Sequence, residues 1–161
     1  MLKKTLVGVA AMVALSAAGS TLGAQSADPW VGTWKVNLAK STFSPGPKPT
    51  VAATIKVESA AGGIKVTTDG VNPQGQPAHT ETMGQFDGKD NPVKGAPQPN
   101  TTQAYKRVDG RTLEVAAKVD GKPTTMTRIV ISADGKTRTA TVTGKNAQGQ
   151  AVNTVVVSDR Q

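Results

Sequence analysis

Residues 101–143 read TTQAYKRVDGRTLEVAAKVDGKPTTMTRIVISADGKTRTATVT. Three Asp-Gly pairs, at 109–110, 120–121 and 134–135, cut this stretch into four strand candidates: Thr101–Val108, Arg111–Val119, Thr124–Ser132 and Lys136–Thr143. Asp-Gly supplies the positive φ angles that tight hairpin turns require. Within Arg111–Val119 the parity is plain: Leu113, Val115, Ala117 and Val119 fall on one face, Glu114 and Lys118 on the other. A period of two marks a strand with one buried face, and strands joined in sequence by tight turns make an antiparallel meander. A fifth candidate, Ala151–Ser158, follows the turn segment Asn146–Gln150.

Upstream the pattern continues less regularly. Trp30–Asn37 is the first strand candidate, and KSTFSPGPKP at 40–49, with three prolines, is a loop. Val51, Ala53, Ile55 and Val57 alternate with polar residues, Ala61-Gly62-Gly63 turns the chain, and Ile64 and Val66 complete a hairpin. Asp69-Gly70 opens a loop that runs to Pro77. Ala78–Phe86 is a weak, mostly polar strand with Gly84 as a bulge candidate. Residues 87–100, DGKDNPVKGAPQPN, form the longest loop, of the kind that tends to be functional. The count is about nine strands with almost no helix signal, an all-β domain. So long a meander must protect its edges. Closure into an up-and-down barrel of about 8–10 strands fits the short turns; a β-sandwich is the alternative and needs longer crossovers. The recurring Asp-Gly-Lys, at 87–89, 120–122 and 134–136, is turn chemistry rather than a structural repeat.

The N-terminus has a different character. Lys3 and Lys4 precede the uncharged run Leu6–Leu15, and small residues lead to Ala24. This is the pattern of a secretory signal peptide, residues 1–24, with cleavage after Ala24 or after Gly23. A membrane anchor would need about 20 apolar residues, and Ser, Thr and Gly interrupt this segment. The remaining domain, 25–161, is expected in the periplasm or secreted. It has no cysteine, so burial and hydrogen bonding hold it without disulfides, and thiol catalysis and thiolate metal sites are excluded. Loss of Lys3 and Lys4 lowers the net charge from +8 to +6. The cations are spread along the chain and serve solubility; a basic exterior also fits an anionic polymer or protein partner in the envelope.

The segment W-x-G-T-W-K-x-N-x-x-K-S-x-F, residues 30–43, resembles small exported bacterial proteins, and its Gly32-Thr33-Trp34 resembles the early Gly-x-Trp of the lipocalin-like (calycin) barrels. The hairpins at 119–122 and 134–136 look similar to the late strands of fatty-acid-binding relatives. The resemblance implies that Trp34 packs at the closed end of the barrel under an arginine from a late strand. Arg128, Arg138 and Arg160 are the candidates, and the contact is worth about 0.5–2 kcal/mol. Lipocalins usually carry a helix after the barrel, whereas this chain ends at Gln161 right after its last strand, which favours a lipocalin-like or fatty-acid-binding-like barrel over a typical lipocalin. Residues alone make Trp34 a main packing element.

Candidate chemistry is sparse. His79, the single histidine, shares a strand face with Glu81, an acid–base pairing in principle, but a solvated strand face is the better reading. Asp87-Gly88-Lys89-Asp90 lacks calcium-loop spacing and reads as an Asx turn. No catalytic residue, metal site or cofactor is expected. Nucleic-acid binding is disfavoured, because basic and aromatic residues are not interleaved, and no membrane insertion is expected after signal removal. The expected function is binding of a small, apolar or amphipathic ligand in the lumen, with Phe43, Phe86 and Tyr105 and the loops 40–50 and 87–100 at the mouth. Arg128 shares parity with Met126 and Val130 against Ile129 and Ile131. It holds a ligand carboxylate if the first set faces inward, and lies on the surface, the favoured arrangement, if the isoleucines do.

Overall fold

The computed structural model describes residues 28–72 and 74–161; residues 1–24, read above as a signal peptide, lie outside them. Ten strands follow in order: β1 (Gly32–Val36), β2 (Thr54–Ala60), β3 (Gly63–Val71), β4 (Pro77–Gly84), β5 (Asp87–Pro92), β6 (Thr101–Asp109), β7 (Thr112–Val119), β8 (Lys122–Ile131), β9 (Thr137–Lys145) and β10 (Ala151–Arg160). No helix occurs among the described residues. They form one antiparallel sheet in the order β4-β3-β2-β1-β10-β9-β8-β7-β6-β5. The first strand thus pairs with the last, Trp34 standing opposite Arg160 and Val36 opposite Ser158.

The two sheet edges, β4 and β5, meet along a seam. Glu81 and Lys94 exchange backbone hydrogen bonds of 3.0 and 2.9 Å across it. The Thr82 hydroxyl donates to Pro92 O at 3.3 Å, and the Glu81 carboxylate reaches Lys65 at 2.7 Å and Lys94 at 3.6 Å. The barrel is therefore nearly closed, and its free edges are protected by charge and by their neighbours.

The sequence reading placed nine strands; the tenth is β5, inside the segment read as the longest loop. Asp, Gly, Asn and Pro are poor strand formers, yet Asp90, Asn91 and Pro92 pair with Ala104, Gln103 and Thr102 of β6. Long-range pairing overrides local propensity here. β3 likewise runs through Asp69 and Gly70, read as a loop, because Asp69 pairs with Thr54 and Gly70 with Ala78. Val51 lies before β2 and is 50% exposed, not on its buried face. Gly84 is not a bulge, since the β3–β4 register passes through it unshifted. At Asp109-Gly110 the turn uses no positive φ at the glycine; Asp109 instead accepts the Arg111 amide at 2.7 Å. At Asp120-Gly121 both residues have positive φ, 50° and 72°, as a type I′ turn demands.

The core lies at one end of the barrel. Trp30, Trp34, Leu113 and Ile131 are almost completely buried, with Val57, Ile64 and Ile129 among them. Two indoles and a leucine compensate for the shortage of large aliphatic side chains elsewhere, each aromatic burying about 150–250 Å².

Candidate ligand-binding site

The closed end explains the Gly-x-Trp segment. The Arg160 guanidinium lies 4.2 Å from the centroid of the Trp34 ring. It is held there by three carbonyl acceptors: Nε donates to Gly135 O at 2.7 Å, Nη1 to Val31 O at 2.7 Å and Nη2 to Pro29 O at 2.6 Å. Of the three candidate arginines, Arg160 is the one that covers the indole. Gly32 has a φ of 145°, and a Cβ there would collide with Arg160 Nη1. The glycine two residues before the tryptophan is thus the space the arginine occupies. Gly32→Ala is expected to lower stability by at least about 1 kcal/mol, through backbone strain and displacement of Arg160, read as a lower urea midpoint at unchanged slope.

Phe86 belongs to this end too. Arg107 stacks 4.4 Å from its ring centroid and pairs with Asp28 at 3.0 Å. The expectation that Phe86 stands at the mouth is corrected: the short β4–β5 connection returns it to the tryptophan end.

Past the core the inward side chains become smaller and more polar, and the barrel is incompletely filled. A cavity of about 150 Å³ remains. Val66 and Thr68 of β3, Thr80 and Thr82 of β4, Gln103 and Tyr105 of β6, Thr127 of β8 and Arg138 of β9 line it, with Ile55, Val93, Val115 and Ile129. Tyr105 is 4% exposed, and its hydroxyl donates to Gln103 Oε1 at 2.9 Å. Its ring lies against Gly84, where a Cβ would sit 2.8 Å from Cδ1. Close approach of that ring is the reason for a glycine at 84.

Arg138 is the unusual member. It faces the lumen because it stands between Ile131 and Ser158, both buried. No carboxylate pairs with it, and residues 1–27 and 73 contain no Asp or Glu. Burial holds its guanidinium down to about 10, with only Tyr105 acting against that shift. Burial pushes the Tyr105 phenol up to about 12, partly offset by the arginine's charge. Arg138 is half-buried rather than fully enclosed, so its charge is partly hydrated while no carboxylate of the protein answers it.

Sequence comparison matches the chain to no family model and to no curated protein. Structural comparison does find a likeness. The barrel superposes on a crystal structure of zebrafish ileal bile acid-binding protein complexed with cholic acid, with a TM-score of 0.50. The match covers 83% of this chain and 99% of that one, at 14% identity.

The fold is a calycin-like barrel.

At that identity the likeness establishes the fold alone. The likeness is one of the barrel as a whole, while the cavity residues are this chain's own.

The residues singled out from sequence divide three ways. Tyr105 lines the calycin cavity. Phe43 is half-buried, next to Thr42, which bridges to Val155 of β10, and does not line the cavity. Arg128 is excluded from the lumen: Ile129 and Ile131 face inward, so Arg128 lies outside and pairs with Glu114 at 3.0 Å. Sequence reasoning missed Arg138 and Gln103 as cavity groups. The signal for Arg138 was present, since it shares parity with Ala140 and Val142 against Thr137, Thr139, Thr141 and Thr143. His79 is exposed, with Nδ1 2.6 Å from Asp69, while Glu81 serves the seam. Asp87 accepts the Lys89 amide at 3.0 Å, the Asx geometry expected of that turn.

Proposed function

We propose that this protein carries a small amphipathic molecule with an anionic head group in its barrel, without catalysis, after export to the periplasm or beyond. Arg138, half-buried at the cavity wall and without a carboxylate partner, carries the reading. A half-buried guanidinium without a carboxylate partner can be paired by a carboxylate or similar anion brought by a ligand, and planar N–H groups favour two-point contact. Ile55, Val66, Val115 and Ile129 offer the apolar part of the ligand an apolar wall. The calycin neighbour's bound cholic acid is itself an amphipathic acid, which agrees with the reading. The alternative, an envelope module with a basic face, has less support. Lys40, Lys56, Lys65, Lys89, Lys118 and Arg128 each have an acid within ion-pair distance, so the exterior is mixed in sign rather than uniformly basic.

Native mass spectrometry of protein purified from its host is the direct test. An added small-molecule mass that carries an acid group and is lost from folded Arg138→Met is the expected result. Folded wild-type protein that is always empty, or a bound species indifferent to Arg138→Met, would overturn it.

A further inference from the structure

We infer that the ligand is a compact, oxygen-rich organic acid, such as a hydroxy acid, rather than a fatty or sterol acid. This deepens the proposed function and rests on Arg138 as the acid-binding group.

Two observations carry it. The first is size. A cavity of about 150 Å³ is of the order that holds a single benzene-sized molecule, and falls well below the roughly 300 Å³ where pockets for drug-sized ligands begin. A four-ring acid or a long alkyl chain exceeds it and would leave much of its apolar surface in solvent.

The second is the polarity of the wall. Thr68 and Thr80 stand directly opposite each other on β3 and β4, and Thr127 stands on the opposing β8 side. None of these three hydroxyls appears among the side-chain hydrogen bonds of the described residues, in contrast to Thr82, which donates to Pro92 O. Gln103 has its carbonyl oxygen taken by the Tyr105 hydroxyl, which leaves its amide N–H groups free toward the cavity. With Arg138 and the Gln103 amide as donors and the threonine hydroxyls able to donate or accept, the wall presents several polar groups to a ligand. An alkyl acid satisfies the guanidinium and leaves the other groups desolvated and unpaired, a penalty of about tenfold in affinity for each. Hydroxyl or carbonyl oxygens distributed over a small acid satisfy several at once, while Val66, Val115 and Ile129 accept its carbon frame.

The test is calorimetric titration of the full domain with acids matched in carbon number, gluconate against hexanoate and 4-hydroxybenzoate against benzoate, with octanoate and cholate alongside. At least one oxygen-rich acid is expected to bind about tenfold or more tightly than its plain counterpart, and more tightly than octanoate and cholate. Octanoate, cholate or the plain acids binding as well or better overturns the inference, as does binding by none of the panel. Arg138→Met separates the two readings. If it removes all binding, the acid-binding role stands whichever acid is preferred. If oxygen-rich acids remain preferred with unchanged affinity, the acid-binding role falls and the preference stands. Thr80→Val with Thr127→Val is expected to erase the preference, leaving plain acids unweakened.

Discussion

Trp34→Ala is expected to cost about 3–5 kcal/mol of folding stability, the largest effect of any single truncation in this chain. The indole is completely buried. It packs beneath the Arg160 guanidinium, and its N–H donates to Trp30 O at 3.4 Å. Deleting it removes the apolar area, leaves a cavity that the rigid wall closes poorly, and frees an arginine fixed by three carbonyls. A domain of this size has about 5–15 kcal/mol in total, so the variant stands close to unfolding at growth temperature. Urea denaturation followed by far-ultraviolet circular dichroism measures it. Trp34→Phe is expected to lose less, since a ring remains for the cation to cover. A Trp34→Ala loss below about 1 kcal/mol would contradict the role assigned to this residue.

Arg138→Met moves stability the other way. The empty wild-type barrel holds a guanidinium with no counter-ion, and its depression to about 10 corresponds to a penalty of about 2 kcal/mol once partial exposure discounts the roughly 3 kcal/mol of the full shift. Methionine matches the stem and removes the charge, so the variant is expected to be more stable than wild type by about that amount while losing affinity for acids. The sign with pH follows from linkage. The folded-state value lies below the unfolded one, so the penalty is fully present below about pH 10. It fades as pH rises through about 10 toward the unfolded value, and the gap between variant and wild type narrows there. The phenol of Tyr105 acts oppositely. Its folded value, raised to about 12, contributes stability present below the ordinary tyrosine value and lost as pH rises through about 12. Both proteins carry that tyrosine, so it largely cancels in their difference. Thermal melts of both proteins from pH 7 to 11 give the comparison, and a variant less stable than wild type at pH 7 without ligand contradicts the account.

Much of the barrel was legible because alternation is a local property. The parity of Leu113, Val115, Ala117 and Val119 identified β7 and its inward face, and Gly32-Thr33-Trp34 pointed to a packed tryptophan under an arginine. β5 was not legible. Asp-Gly-Lys-Asp-Asn-Pro has no apolar period, and only the backbone partners on β6 make it a strand. Phe86 reads as an aromatic beside a long loop, a mouth residue by position, until the β4–β5 turn directs it back onto Arg107. For Arg128, parity left two orientations open, and burial of Ile129 and Ile131 chose between them.

Sequence by itself determined the antiparallel meander of the C-terminal half, β6 to β10, because a period of two and an Asp-Gly pair act over a few residues of chain. The tertiary structure alone decided which arginine caps the indole and which one faces the cavity without an acid. Arg160 and Arg138 differ in what stands near them from remote parts of the chain: three carbonyls from residues 29, 31 and 135 for one, and hydroxyls and a phenol around an unfilled space for the other. The charge of a side chain is written locally; whether that charge is answered depends on the residues that closure of the barrel brings to face it.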